Sequence, residues 1–405
     1  MNIYQALDWG VLLDWVSLLL RWTHVVAAIA WIGSSFYFIA LDASLRPNAR
    51  LDPRVSGETW QVHGGGFYQI QKFVVAPEFL PEHLTWFKWE AYSTWIFGFA
   101  LLVTTYYANP SVYLLDNAVS HIQPWDAVPL AIGSLVLGWI GYDQLCRSWV
   151  GQDTARLAAA GFALLVLITY GFCHVFSGRG AFLQVGALVG SIMVGNVLFI
   201  IIPNQRKTID VLIAGREPDA IWGHEAKQRS IHNNYLTLPV VFVMLSNHYS
   251  FTYQTKWNWL ILSCIFVASF MVRHYFNTMH TGAAPDWRLW PAAAIPIALA
   301  AILTLADSYS LPTSTAEQPI SFTEVRMIVD QRCHVCHSAH PKFPAFSEPP
   351  KGIMFDTPAQ ILQYSKQIYA QVVKTHTMPL NNITEITEAE RAALGSWIAA
   401  GSRAN

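Results

Sequence analysis

Ala181-Phe-Leu-Gln-Val-Gly-Ala-Leu-Val-Gly190-Ser-Ile-Met-Val-Gly-Asn-Val-Leu-Phe-Ile200-Ile-Ile202 carries no charged side chain from end to end. About 20 apolar residues in a helix cross the hydrocarbon layer of a bilayer. Working outward, seven further apolar segments have comparable length, at 15–41, 87–107, 125–146, 155–176, 231–249, 257–276 and 289–306. Trp and Tyr gather near their ends (Trp15, Tyr106, Tyr107, Trp125, Tyr249, Trp257, Trp259, Trp290), where amphipathic rings sit at a membrane–water interface. Only 13% of the 405 residues are charged and the mean hydropathy is +0.31, against about 25% charge in a soluble protein. The formal net charge of −1 offers no electrostatic footprint for nucleic acid. No basic segment precedes the first apolar stretch, so it reads as a retained helix rather than a cleaved signal. The expected fold is all-α, an eight-helix transmembrane bundle over residues 1–307.

Lysine and arginine orient the bundle. Loops one, three, five and seven contain Arg46, Arg50, Arg54, Lys72, Arg147, Arg206, Lys207, Arg216, Lys227, Arg229 and Arg288. Loop two, residues 108–124, has neither type, and loops four and six hold only Arg179 and Lys256. The odd loops are therefore expected in the cytoplasm. Both termini then lie outside, in the periplasm if the membrane is a bacterial inner membrane.

Past the eighth segment the composition changes. Residues 308–319 read as a polar, proline-bearing linker. Residues 320–405 read as a small α-helical cytochrome c domain. Cys333-His334-Val335-Cys336-His337 has the spacing for covalent haem c, with two thioethers and His337 as the proximal iron ligand. A zinc site would need further soft ligands, and the tail has no other Cys. Met378, in Thr377-Met-Pro-Leu380, is the favoured sixth ligand, with Met354 as the rival. Ser321-x-x-Glu324 and Thr387-x-x-Glu390 are capping-box patterns that open helices on either side of the motif. Haem c attaches outside the cytoplasm, which agrees with the side chosen by the loop charges.

Ionisable groups inside spanning helices are candidates for function. His24, His174 and His248 fall in the outer half of the bilayer, and His232 and His274 nearer the inner face. Paired histidines on neighbouring helices hold b-type haem, so one or two haem b groups are an open expectation. A bundle histidine can equally bond a backbone carbonyl, or a metal. The first loop carries His63-Gly-Gly-Gly66 followed by Glu78, Glu82, His83 and Glu90, and glycines there let a ligand approach backbone amides.

These segments resemble the bacterial membrane-bound, cytochrome c-fused urate oxidases (urate hydroxylases). The resemblance rests on Trp22-Thr-His24, Trp31-Ile-Gly33, His63-Gly-Gly-Gly66, Trp86-Phe-Lys-Trp-Glu90, Ser177-Gly-Arg179, Ile202-Pro-Asn-Gln-Arg-Lys207, Ser230-Ile-His-Asn-Asn-Tyr235, Ser246-Asn-His-Tyr249 and Arg273-His-Tyr-Phe276. It covers essentially the whole chain. One departure is Gln184, on helix five, where a further His would be expected.

The resemblance implies oxidation of urate to 5-hydroxyisourate without hydrogen peroxide release. Electrons would pass through haem c to a terminal oxidase or a soluble cytochrome c. For that chemistry His63, His232 and Glu90 are the candidate bases. Arg206 or Arg229 would hold the urate anion, and Asn233 or Asn234 the ring amides. An alternative is an electron-transfer subunit, fed by quinol or a dehydrogenase, with no substrate chemistry of its own.

Overall fold

The structure, a computed structural model, describes residues 9–74, 76–77, 80–310, 320–344, 346 and 348–404. Helix α1 (Trp9–Ser44) leads into a β-hairpin, β1 (Val55–His63) and β2 (Gly66–Phe73). Then follow α2 (Trp89–Leu102), which continues through a π-helical turn at Val103–Tyr107, the short α3 (Pro110–Tyr113), α4 (Pro124–Arg147) and α5 (Thr154–Val175). Helix α6 (Gly178–Gly195) passes through a second π-helical turn, Asn196–Ile201, into α7 (Ile202–Ile213). The bundle closes with α8 (Ala220–Ser246), α9 (Asn258–His280) and α10 (Leu289–Ser310). The tail contains α11 (Phe322–Arg332), α12 (Pro358–Gln363), α13 (Ser365–Ile368) and α14 (Glu388–Ala399).

Among the described residues, six helices are long and apolar enough to cross a membrane. They are Leu12–Ser44, Pro124–Arg147, Thr154–Val175, Gly178–Ile213, Asn258–His280 and Leu289–Asp307. The other two expected spans are helical, in α2 with its π turn and in α8, but fall outside that set. Their sequences explain it. Helix α8 carries Arg229, His232, Asn233 and Asn234 in its middle, and α2 is rich in Trp and Tyr. The all-α expectation is corrected at the first loop, where β1 and β2 pair antiparallel with His63 opposite Gly66. Gly64 and Gly65 have φ of 59° and 77°, the left-handed pair that a two-residue hairpin turn demands. The glycine run is accounted for by this turn. The hairpin is strapped to the end of α1 by Tyr37 to Gln61, Ser44 to Thr59 and an Asp42–Lys72 ion pair.

Loop contacts establish which loops share a side. Arg46, in loop one, donates to the Thr281 carbonyl in loop seven at 2.7 Å. On the opposite face Ser177 N–H reaches the Leu114 carbonyl at 2.9 Å and Ser120 Oγ reaches that of Val175 at 2.6 Å. The tail joins that second face, since Asn381 Nδ2 donates to the Val112 carbonyl at 2.6 Å. Loops two and four and the tail therefore lie together.

Helix α10 runs three residues into the expected linker, and the remaining linker residues, 311–319, lie outside the described residues, as does Glu78. The tail has its own apolar core, built on Val325, Val329, Phe355, Ile361, Leu394 and Trp397. Both expected capping boxes form, Ser321 with Glu324 and Thr387 with Glu390. A third, Thr357 with Gln360, opens α12.

Candidate functional site

Helix α8 organises the polar interior of the bundle. Residues three and four apart share a helix face, so Arg229, His232 and Asn233 point one way. They meet Tyr142 and Asp143 of α4 and Asn196, where the π turn after α6 begins. Tyr142 Oη lies 2.6 Å from His232 Nδ1. Asn196 Nδ2 donates to Tyr142 Oη at 3.2 Å and to Asn233 Oδ1 at 3.0 Å. Asn233 in turn donates to the Met193 carbonyl at 2.9 Å. Arg229 is 2% exposed; it donates to Asp143 Oδ1 at 2.7 Å and lies over the Tyr142 ring. Asp143 also accepts from Arg147 at 2.7 Å. Such π turns concentrate at functional sites. Gly195, just before this one, lets α6 close on α4, because a Cβ there would fall 2.3 Å from Trp139 Nε1.

Asn234 faces the other side of α8, towards α1 and α9. Its Oδ1 accepts from Arg273 Nε at 2.7 Å and from Asn277 Nδ2 at 3.0 Å. Arg273 Cζ lies over the Phe36 ring, 3.8 Å from its centre. Next to this group Tyr235 Oη and His274 Nδ1 are 2.7 Å apart. The two consecutive asparagines thus serve two separate polar groups.

The other expected site residues are dispersed. His63 is exposed at the hairpin end. Glu90 sits in the first turn of α2 with Oε2 buried and unpartnered among the described residues. Arg206 is exposed on α7. Asn204, two residues earlier, bonds Glu225 and ties α7 to α8. Gln184 is fully buried and fully occupied, accepting from Tyr107 and donating to the Ala131 carbonyl and Ser134.

His24 bonds the Thr94 carbonyl through Nδ1 at 2.8 Å. Its ring fills the space above Gly98, where a Cβ would come within 2.6 Å of it. His174 turns Nδ1 to its own helix, at the Tyr170 carbonyl, and His248 is exposed beyond α8. Among the described residues no three His, Cys, Asp or Glu side chains form a metal-holding group. The carbonyl bonds of His24 and His174 leave Nε2 free. That orientation serves an iron ligand as well as it serves an ordinary bundle histidine.

In the tail, Cys333 follows α11 directly and is buried, and Cys336 is half-buried. Burial pushes the Cys333 thiol up to about 12. His337 Nδ1 bonds the Ile353 carbonyl at 2.9 Å and Phe355 packs 5.1 Å from its ring. Burial holds the His337 imidazole below its ordinary value, the Ile353 bond notwithstanding. A neutral ring, fixed through Nδ1 with Nε2 left for iron, is the state a haem ligand needs. Met378 packs against the tail core and its carbonyl accepts from Arg391 at 2.8 Å. These residues fit haem c.

Sequence reasoning missed Tyr142, Asp143, Asn196 and Asn277, and gave Arg273 no role. The signal was present for two of them: Asp143 and Arg273 are charged residues inside apolar helices.

Comparison with curated proteins and with solved structures gives no match. Residues 10–305, spanning α1 to α10, match the model of a family described as urate oxidase N-terminal, and the chain therefore belongs to that family.

Proposed function

We propose that the chain is a membrane-bound urate hydroxylase of the bacterial inner membrane, converting urate to 5-hydroxyisourate and releasing electrons to the respiratory chain through haem c in its own tail. The observation that carries this reading is the joining, in one chain, of the family-matching bundle to a folded tail in which His337 is fixed by Ile353 beside Cys333 and Cys336. The overall step is urate monoanion plus water giving neutral 5-hydroxyisourate, one proton and two electrons, so the inserted oxygen comes from water and no peroxide forms. Haem c, when bound, accepts electrons one at a time.

The chain's residues supply the rest. Among the candidate bases, His232 alone sits in a connected buried network. Its Nδ1 faces Tyr142, so Nε2 is the position at which it takes up a proton released by the reaction. Cys333 and Cys336 would carry the thioethers, and His337 and Met378 the axial positions. Met378 is favoured over Met354 because it packs against the tail core. Even-numbered loops and tail would face the periplasm and the hairpin the cytoplasm.

The test is anaerobic addition of urate to membranes containing the protein, followed by visible difference spectroscopy. Reduction of a c-type band by urate is expected, and a b-type band alongside it would report haem at the bundle histidines. If dithionite reduces the haem and urate does not, the urate reading fails and the electron-transfer subunit replaces it.

A further inference from the structure

We propose that Arg273, with Asn277 beside it and Phe36 beneath it, is the anion-recognition element of the substrate site. The inference rests on the urate reading and assigns that reading's anion to a residue the sequence patterns left without a role. Arg273 is 5% exposed, yet among the described residues no carboxylate pairs with it. Its Nε is held by Asn234, while Nη2 is buried with no partner. Asn277, one helical turn later, gives its Nδ2 to the same Asn234 oxygen, and its Oδ1 is likewise buried and unpartnered. A buried cation without a counter-charge is costly, and so is a buried donor or acceptor without a bond. One planar anion satisfies all three demands.

The other two candidate arginines contrast with it. Arg229 also has buried nitrogens without partners, Nε and Nη1, but its charge is already met by Asp143 at 2.7 Å, and Arg206 is exposed on α7. At Arg273 a free donor stands next to a free acceptor on one helix face. That pair matches the C=O and N–H of a lactam edge, which urate presents on both rings, and the guanidinium supplies the charge. The guanidinium carbon sits 3.8 Å from the Phe36 ring centre, and with Nε held by Asn234 little freedom is left to be lost on binding. Asn234 clamps both side chains, so it is a positioning residue.

The experiment uses the full, haem-loaded chain in detergent, anaerobic and pre-reduced with dithionite so that no turnover occurs. Equilibrium dialysis measures binding of labelled urate and of hypoxanthine, a neutral purine. The wild type is expected to prefer urate. Losing a buried charged partner should weaken urate binding on the order of 100-fold in Arg273→Gln and collapse the preference over hypoxanthine. Asn277→Leu should weaken both purines about 10-fold, and Arg216→Gln, on an exposed loop, should change neither. Haem c absorbance and a single elution peak report folding, and Asn277→Leu carries the test if Arg273→Gln does not fold. Absence of urate binding in the wild type would sink the urate reading itself. Urate binding by wild type and by a folded Arg273→Gln with equal affinity and equal preference would overturn the Arg273 assignment alone.

Discussion

The Tyr142 hydroxyl and His232 Nδ1 stand 2.6 Å apart, joining α4 to α8 inside the bundle. This bond sets which imidazole nitrogen is available, because the ring is turned by the phenol on one side and by α8 on the other. In Tyr142→Phe the ring loses that partner and its orientation. Urate turnover should fall on the order of 10- to 100-fold, within the range of general acid–base contributions, while the c-type spectrum stays unchanged. Steady-state rates on the purified protein check this. An unaltered kcat would remove His232 from the reaction.

Asp143 holds two arginines of different burial, and they should not matter equally. The Arg147 side chain is half exposed and that of Arg229 almost fully buried. Arg147→Ala should cost at most about 1 kcal/mol. Asp143→Asn leaves the Arg229 charge buried without compensation, and should cost about 3–5 kcal/mol. Thermal unfolding in detergent gives the comparison, and equal losses for the two variants would contradict the buried-pair account.

Gly98 is where α2 makes room for His24. A methyl group there would collide with the ring, so Gly98→Ala should break the bond to Thr94 or push α1 off α2. Overpacking of this kind costs about 1–3 kcal/mol. The readout is again thermal unfolding, with the c-type spectrum as a check that the tail is untouched.

In the tail, Glu390 titrates with folding. Burial pushes its carboxyl up, but the Thr387 backbone N–H and the Arg332 guanidinium outweigh this and hold it below the ordinary value. A folded-state pKa below the unfolded one gives stabilisation that is complete above the unfolded value, about 4.3, and is lost as pH falls through the folded value. Amide protection factors across α14, corrected for the intrinsic exchange rate, should therefore fall on acidification below about pH 4. Glu390→Gln should flatten that dependence. A variant with the wild-type pH profile would show that the capping carboxylate is not responsible.

How much of this was legible depended on whether the signal was local. Long apolar runs announce spans without reference to any neighbour, and both bracketing capping boxes were readable because all their atoms lie within four residues. The hairpin was missed although its turn chemistry, two glycines after His63, stood in plain view. Its strands alternate weakly, with Trp60, Val62 and Phe67 exposed on one face, so no core-facing period flagged them. The polar interior was half legible. Arg229, His232 and Asn233 stand out on a helix, but the partners that give them meaning come from α4 and α6, and no periodicity announces such a pairing. Arg273 was visible as a charge in an apolar segment. That it lacks a counter-charge among the described residues is a three-dimensional fact, readable only once the surrounding helices are placed.

The bond from Asn381 to the Val112 carbonyl has a kinetic meaning. A carrier that must be captured from solution arrives at a rate set by its concentration and by salt. On the proposed function, a tail that already leans on α3 and is joined to α10 by the chain would meet its donor by a first-order motion whose effective concentration is fixed by the tether. Dilution of the protein would then leave that encounter unchanged, and only a later hand-over to an outside acceptor would depend on abundance.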